Sequence, residues 1–269
     1  INAEAKNLSV SVNTASGAAN APVIDFSMLA GGGLNITAGS GTVTIDSSQR
    51  VTRANAADVT FQLSQFIYVR GSFAFEKGAT MTVPLVGGGN ASVETMTIGT
   101  SGAHVFVGVS GPYWQDTNNS GGIDAGDTPS ADAVGLALEN VDVGLLVAKE
   151  TTESSPVKYT SLKVTATSAR TVGMDAALTV VANGVTVGYN TTNDAAKPAI
   201  NFQALTGGGF VVQTGARTVT LDFASRIVRA SVADLTLQIS QFIYVRGSFA
   251  FEKGTTLTVP LAGGAGTEV

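Results

Sequence analysis

One twelve-residue segment combines the residue types that bind a hard divalent cation. Asp116–Asp127 reads DTNNSGGIDAGD, with oxygen-bearing side chains at alternate positions ahead of two adjacent glycines. Calcium takes about six to eight oxygen ligands around one point, and a short loop can supply them only by turning tightly. Glycine allows that turn because it has no Cβ. The spacing therefore predicts a calcium site, with a surface turn rich in Asn, Asp and Gly as the alternative.

The segment matches the twelve-residue calcium loop of the EF-hand position by position. The predicted ligands stand at positions 1, 3, 5, 7, 9 and 12 of the loop: Asp116, Asn118, Ser120, Gly122, Asp124 and Asp127. Gly122 offers its backbone carbonyl, and Asp124 contributes directly or through water. Gly121 takes the sharp turn at position 6, and Ile123 is the apolar anchor at position 8. The predicted cofactor is therefore Ca²⁺.

This loop resembles the calcium loops of dockerins and of related repeats in large bacterial surface proteins, where Asp commonly occupies position 12. The resemblance covers the loop alone. Only one such loop is present, and TPSADAVGLAL at 128–138 indicates a turn into a strand where a dockerin has a helix. Dockerin-type binding of a cohesin is therefore not implied. Tyr113 and Trp114, directly before the loop, are predicted to pack against it and not to bind a sugar.

The elements that must position the loop belong to an internal repeat. A segment that begins at Gly31 returns at Gly207 without a gap, at an offset of 176 residues. Within it, Ser64–Gly78 and Ser240–Gly254 are identical over fifteen residues. An identical block of that length indicates duplication and not chance.

The repeat predicts the organisation of the chain. Residues 1–176 form one full repeat, which includes the calcium loop at 116–127, and residues 177–269 form the first half of the next repeat. Repeat arrays need polar caps to stay soluble, and neither end of the sequence has one. We therefore expect further repeats to flank this stretch.

Almost every segment has the pattern of a β-strand. TVTID from Thr42, VTFQL from Val59 and LTLQI from Leu235 alternate apolar and polar residues, and no stretch has helical spacing with caps. The predicted fold class is all-β, as an elongated repetitive β-sheet or β-solenoid-like array, with tandem β-sandwiches as the alternative. Four segments are interpreted as pairs of short strands: TMTIGTSGAHVFVGVSG, VGLALENVDVGLLVA, LTVVANGVTVGYN and LTLQISQFIYVRG.

The low charge predicts self-association. Charged residues make up 13% of the chain, against about 25% in a typical globular protein. Such a chain must bury both faces of its sheets or pack against copies of itself. With 15 Lys and Arg in all, few are available to protect sheet edges. We expect the terminal segments Leu8–Val12 and Thr255–Leu261 to meet β-structure from a neighbouring repeat or from another chain.

Several classes of function lack their sequence signals. The absence of Cys rules out disulfides and thiolate metal sites, and a net charge of −5 argues against nucleic-acid binding. No apolar stretch approaches the about 20 residues of a membrane-spanning helix, so no transmembrane segment is expected. His104 is the only histidine and has no evident catalytic partner. We therefore do not expect an enzyme.

Taken whole, the chain resembles the long β-rich repeats of giant secreted or surface-anchored bacterial proteins, including large adhesins. GSFAFEKG at 71–78 and GPYW at 111–114 followed by the calcium loop carry this resemblance. It implies an extracellular or cell-surface location, with any signal peptide outside this sequence. It also implies a calcium-stabilised structural repeat of a filament, sheath or stalk. The alternative that it implies is an adhesin repeat that binds a glycan or protein ligand at its surface.

Overall fold

The chain folds as an all-β protein, which confirms the predicted fold class at that level. The computed structural model describes residues 1–16, 21–152 and 156–253, together with the backbone of 258–259 and 267–268. Within these ranges the only helical elements are two three-residue 3-10 turns, Phe26–Met28 and Phe202–Ala204. Neither is long enough to cross a membrane, and the described residues contain no other candidate helix.

The strands are numbered in chain order. They are β1 (Asn2–Asn13), β2 (Leu34–Ala38), β3 (Gly41–Ile45), β4 (Val51–Leu63), β5 (Ile67–Lys77), β6 (Met81–Pro84), β7 (Asn90–Val109), β8 (Trp114–Gln115), β9 (Thr128–Pro129), β10 (Val134–Glu150), β11 (Lys158–Val172), β12 (Leu178–Thr192), β13 (Phe210–Gln213), β14 (Thr218–Leu221), β15 (Ile227–Ile239), β16 (Ile243–Lys253), β17 (Thr258–Val259) and β18 (Thr267–Glu268).

One antiparallel sheet of ten strands contains the long strands of both copies of the repeat. Its order is β1-β4-β5-β7-β10-β11-β12-β15-β16, and β6 pairs with β7 beside this path. β12, β15 and β16 are the sequence counterparts of β1, β4 and β5. Six long strands, from β1 to β11, therefore precede the point at which the pattern starts again. The sheet is open, with β1 and β16 at its edges.

The two copies share the details of strand pairing. The register between β4 and β5 shifts between Ala56 and Val59, and that between β15 and β16 shifts between Val232 and Leu235. These positions correspond at the 176-residue offset. A β-bulge of this kind adds a residue to one strand and increases the local twist. The same sequence thus produces the same irregularity twice.

Three of the four predicted strand pairs are wrong, because each segment forms one long strand. β7, β10 and β12 run through the polar or small residues that were interpreted as turns. In each of them a single residue with positive φ interrupts the extended backbone without reversing it: Gly102 at 60°, Asn140 at 49° and Gly184 at 64°. Gly and Asn tolerate this conformation better than other residues. Only the fourth segment, at β15 and β16, is a hairpin.

The main core lies on one face of the sheet. The β13–β14 hairpin, paired from Phe210 to Leu221, covers this face over β7, β10 and β11. The largest fully buried residues of this core are Tyr159, Phe202, Leu146, Ile200 and Leu221. The opposite face carries partly buried aliphatic side chains around a few small buried residues. The hairpin thus converts part of a single sheet into a two-layered core.

The predicted contacts of the terminal segments have two different outcomes. Leu8–Val12 lies in β1 and pairs with β4 of the same chain, from Ala56 to Thr52. Thr255–Leu261 lies outside the described residues, except for β17, whose backbone pairs with β18. Contact with another repeat or chain therefore stays a prediction for both segments.

Candidate calcium-binding loop

A short two-stranded ribbon closes the base of the predicted calcium loop. β8 pairs with β9, so that Trp114 lies opposite Pro129 and Gln115 lies opposite Thr128. This pairing brings the first and last residues of the loop to neighbouring positions. An EF-hand holds its loop between two helices, whereas here strands flank it on both sides. A strand after the loop was predicted from the sequence, and the strand before it was not.

A cluster of aromatic residues supports the loop from below. Tyr113 and Trp114 are buried, and their ring centroids lie 5.1 Å apart in an edge-to-face arrangement. They pack with Tyr68 and Phe106 of the large sheet, and the side chain of Ile123 packs against the same cluster. The predicted packing role of the two aromatic residues is therefore confirmed, and the anchor at position 8 contacts them.

The first half of the loop gathers three of the predicted ligands. The backbone N–H of Ser120 donates to Asp116 Oδ1 at 3.0 Å and to Asn118 Oδ1 at 2.9 Å. The N–H of Gly121 donates to Asp116 Oδ2 at 2.9 Å. The N–H of Gly122 donates to Ser120 Oγ at 3.2 Å. Because several oxygens converge on adjacent N–H groups, the side chains at positions 1, 3 and 5 point into one concave turn.

The second half of the loop is joined to the first through Asp124. Its Oδ1 accepts hydrogen bonds from Asn118 Nδ2 at 2.9 Å and from the Gly126 N–H at 2.7 Å. The Gly126 hydrogen bond, followed by that of Ser120, holds the pKa of Asp124 below its ordinary value. The N–H of Asp124 in turn donates to Asp127 Oδ2 at 2.9 Å. Positions 3, 9 and 12 are thus linked by direct contacts.

One oxygen of the loop favours a bound cation. Asp127 Oδ1 is buried and has no hydrogen-bond partner. A buried carboxylate oxygen without a donor costs free energy, and a hard cation would satisfy it. In the described residues, however, no three His, Cys, Asp or Glu side chains come together as a metal-binding group. The loop supplies the oxygen ligands that calcium prefers. In this structure its carboxylates accept hydrogen bonds from backbone N–H groups of the loop.

An arginine of the large sheet contacts the loop, a role that its position in the sequence does not reveal. Arg70 of β5 makes a two-pronged ion pair with Asp58 of β4, with Nε–Oδ1 at 3.0 Å and Nη2–Oδ2 at 2.6 Å. Its Nη2 also donates to the carbonyl of Gly121 at position 6 of the loop. Arg246 and Asp234 repeat the ion pair in the second copy, at 3.1 Å for both contacts. The recurrence of Asp and Arg at this spacing was the available signal for the pair, but not for the contact with the loop.

The single histidine lies beside the aromatic cluster. The ring centroids of His104 and Trp114 are 5.0 Å apart in an edge-to-face arrangement. Burial lowers the pKa of His104, an effect that Glu139 and the Gly102 backbone oppose. The neutral imidazole is therefore favoured, and its contacts are those of a packed residue.

Comparison with family models, with curated proteins and with solved structures finds no match for this chain.

Proposed function

We propose that this chain is a calcium-stabilised structural repeat of an extracellular or cell-surface filament, sheath or stalk, with no catalytic role. The observation that carries the proposal is the sheet itself: the long strands of one repeat pair directly with those of the next, at β11 and β12. A protein built from such repeats grows as one hydrogen-bonded array, in which each unit contacts its neighbours. The elongated architecture belongs to this proposal.

Calcium acts in this proposal as a brace. Bound at the loop, it would neutralise three carboxylates, Asp116, Asp124 and Asp127, that otherwise repel one another. The side chains of Asn118 and Ser120 and the carbonyl of Gly122 would complete the oxygen shell. Arg70 connects the loop to β5, and Ile123 connects it to the aromatic cluster. Stabilisation of the loop by calcium would therefore extend to the sheet.

The adhesin alternative gains no sugar-binding surface from the two aromatic residues beside the loop. Exposed aromatic rings are the usual platform for stacking a sugar, but Tyr113 and Trp114 are buried beneath the calcium loop. Electron microscopy of the native material separates the two functions. Continuous filaments would support the structural repeat, whereas dispersed stalks with distinct heads would support the adhesin.

Calorimetry tests the calcium part of the proposal. Extracellular modules bind calcium with a Kd of about 10⁻⁴ to 10⁻³ M. At about 10 mM calcium, ligand linkage then stabilises the folded chain by about 1.4 to 2.7 kcal/mol. For a chain of this size the melting temperature should rise by roughly 3 to 10 °C. The fluorescence of Trp114, the only tryptophan, should change at the same calcium concentration because it lies under the loop.

A matched pair of variants assigns the effect to the loop. Asp127→Asn removes one predicted ligand charge, and Asp132→Asn removes the same charge from an exposed position just beyond the loop. The first variant should lose most of the calcium-linked rise, while the second should keep it. If about 10 mM calcium leaves the melting temperature of the wild-type chain unchanged, the calcium part of the proposal is wrong.

A further inference from the structure

The first-copy hairpin, β2–β3, presents an apolar surface to solvent. Ile24, Ile36 and Val43 are 61%, 44% and 56% exposed. In the described residues β2 and β3 contact mainly each other, and no extensive contact joins them to the large sheet. Ile36 and Val43 lie on the hairpin and Ile24 lies in the segment before it. Three large aliphatic side chains so exposed on one small element are unusual.

The second-copy hairpin shows what this surface is made to contact. The counterparts of Ile24 and Ile36 are Ile200 and Val212, and both are 0% exposed. They are buried together with residues of β6, β7, β10 and β11, among them Val93 and Leu146. The same apolar positions are thus exposed in one copy and fully buried in the other.

Two glycines of the large sheet allow the β13–β14 hairpin to approach closely. A Cβ atom at Gly99 of β7 would lie 2.1 Å from the Gln213 carbonyl oxygen, and one at Gly144 of β10 would lie 2.8 Å from Val219. Backbone and side chains of the hairpin therefore approach these strands more closely than any larger residue allows. Such a fit indicates a specific docking surface and not incidental contact.

An equivalent hydrogen bond joins the segment before each hairpin to the adjacent long strand. Asn13 at the end of β1 donates through Nδ2 to the Ile24 carbonyl at 2.8 Å. Its counterpart Asn190 in β12 donates to the Ile200 carbonyl, also at 2.8 Å. The β13–β14 hairpin lies over β11, β10 and β7, the strands that precede β12 in the sheet. The β2–β3 hairpin accordingly projects beyond the free edge of β1.

We infer that the β2–β3 hairpin and the open edge of β1 together form a docking site for one partner, a β6–β11 segment from another copy of this repeat. The β11 strand of the partner would pair with β1, as β11 pairs with β12 within this chain. Its β7, β10 and β11 would cover Ile24 and Ile36. This inference rests on the proposed function, since it names the partner that an array of repeats would supply.

Charge complementarity favours the same partner. In the second copy Lys163 of β11 contacts Asp222, beside β14, at 2.9 Å. The counterpart of Asp222 is Asp46, which is exposed next to β3. A docked β6–β11 segment would bring an equivalent lysine to Asp46.

A second molecule of the whole chain fits the site less well. Its own β7, β10 and β11 are already covered by its β13–β14 hairpin, which belongs to the same chain. The incoming hairpin would have to displace one held at the high effective concentration of an intramolecular contact. The partner is therefore a β6–β11 segment whose face is free.

Hydrogen exchange on a lengthened chain tests the inference. A copy of residues 78–177, which contains β6–β11, is placed ahead of Ile1 of the full chain. The amides of β1 and of residues 34–45 should exchange on the order of 100-fold more slowly than in the original chain, because exchange follows the free energy of local opening. Their protection should approach that of residues 210–221. Unchanged exchange at both places would overturn the inference.

Two hairpin variants make the test specific to the docked face. Ile36→Asp should remove the new protection of residues 34–45, whereas Asn35→Asp should keep it, because the counterpart Val211 is half exposed. Equal behaviour of the two variants would count against docking. If the original chain instead oligomerises and Ile36→Asp prevents it, a whole second chain is the partner and the inference is wrong. The calcium response is measured in the original chain, so either proposal can fail without the other.

Discussion

Arg70 and Arg246 allow one side chain to be tested in two environments of the same molecule. Both pair with an aspartate on the neighbouring strand, but Arg70 is 13% exposed and Arg246 is 61% exposed. Only Arg70 also reaches the loop, at the Gly121 carbonyl. The change to methionine keeps most of the aliphatic stem and removes the guanidinium. The two variants, Arg70→Met and Arg246→Met, therefore differ mainly in what the lost group was contacting.

The expected cost at Arg70 follows from its contacts. Hydrogen bonds to charged groups contribute about 1.5 to 3 kcal/mol each, and breaking a shielded pair leaves the other charge uncompensated. Arg70→Met strands the half-buried carboxylate of Asp58. We expect a loss of about 2 to 3 kcal/mol, which for a chain of this length lowers the melting temperature by roughly 4 to 12 °C. Exposed ion pairs contribute little, so Arg246→Met should change the melting temperature only slightly.

The assay is differential scanning calorimetry of the wild type and both variants in a calcium chelator, so that metal binding does not contribute. Trp114 fluorescence during chemical unfolding then shows whether the aromatic cluster of a destabilised variant unfolds at a lower denaturant concentration than that of the wild type. Equal shifts in the two variants would refute the reasoning, since the contact with the loop and the deeper burial would then contribute nothing. A larger shift for Arg246→Met would refute it more strongly.

Two further predictions concern the sheet. A Cβ at Gly71 would lie 2.8 Å from Ala103, whereas nothing lies within 4 Å of one at its counterpart Gly247. Gly71→Ala should therefore lower the free energy of unfolding, measured by chemical denaturation, by about 1 to 3 kcal/mol. Gly247→Ala should be neutral or slightly stabilising. Burial lowers the folded pKa of His104, so the unfolded chain binds its proton first as the pH falls; stability should be full above the unfolded pKa of about 6.5 and decline below it. Melting temperatures between pH 8 and pH 5 should show this decline in the wild type and less of it in His104→Gln, and equal slopes would contradict the assignment.

The all-β class and the equivalence of paired strands could be read from alternation and from the 176-residue offset, because both are local properties of the sequence. The path of each strand could not. Gly102 and Asn140 look like turn residues, yet each occupies a single left-handed position within a continuous strand. A turn and a bulge use the same residue types, and long-range pairing decides between them.

The burial of β5 shows a second limit. Apolar side chains occur on both faces of this strand, but the face with Tyr68, Arg70 and Ser72 is the more buried one. Ser72 Oγ donates to the Thr214 carbonyl at 2.7 Å, a partner 142 residues away. Phe73, on the other face, remains 38% exposed. The pattern of polar and apolar residues along a strand does not show which distant hairpin covers it. The position of the β13–β14 hairpin over the sheet therefore could not be predicted from the sequence.

The loop motif could be recognised in the sequence because the spacing of its predicted ligands is local, whereas the residues that support the loop could not be identified. Asp116 through Asp127 form one contiguous motif, whereas Arg70 reaches Gly121 across 51 positions. The contact depends on the pairing of β5 with β7 and on the course of the chain after β7. Neither follows from the loop itself.

The six-strand spacing of the repeat has a mechanical consequence. Neighbouring strands lie about 4.8 Å apart, so six of them advance an array by roughly 29 Å. The same 176 residues, drawn out at about 3.4 Å each, would reach roughly 600 Å. Each repeat that is pulled apart under tension therefore releases about twenty times its folded length before the backbone is taut. A tether made of such units would lengthen stepwise and absorb work while the remaining units stay folded.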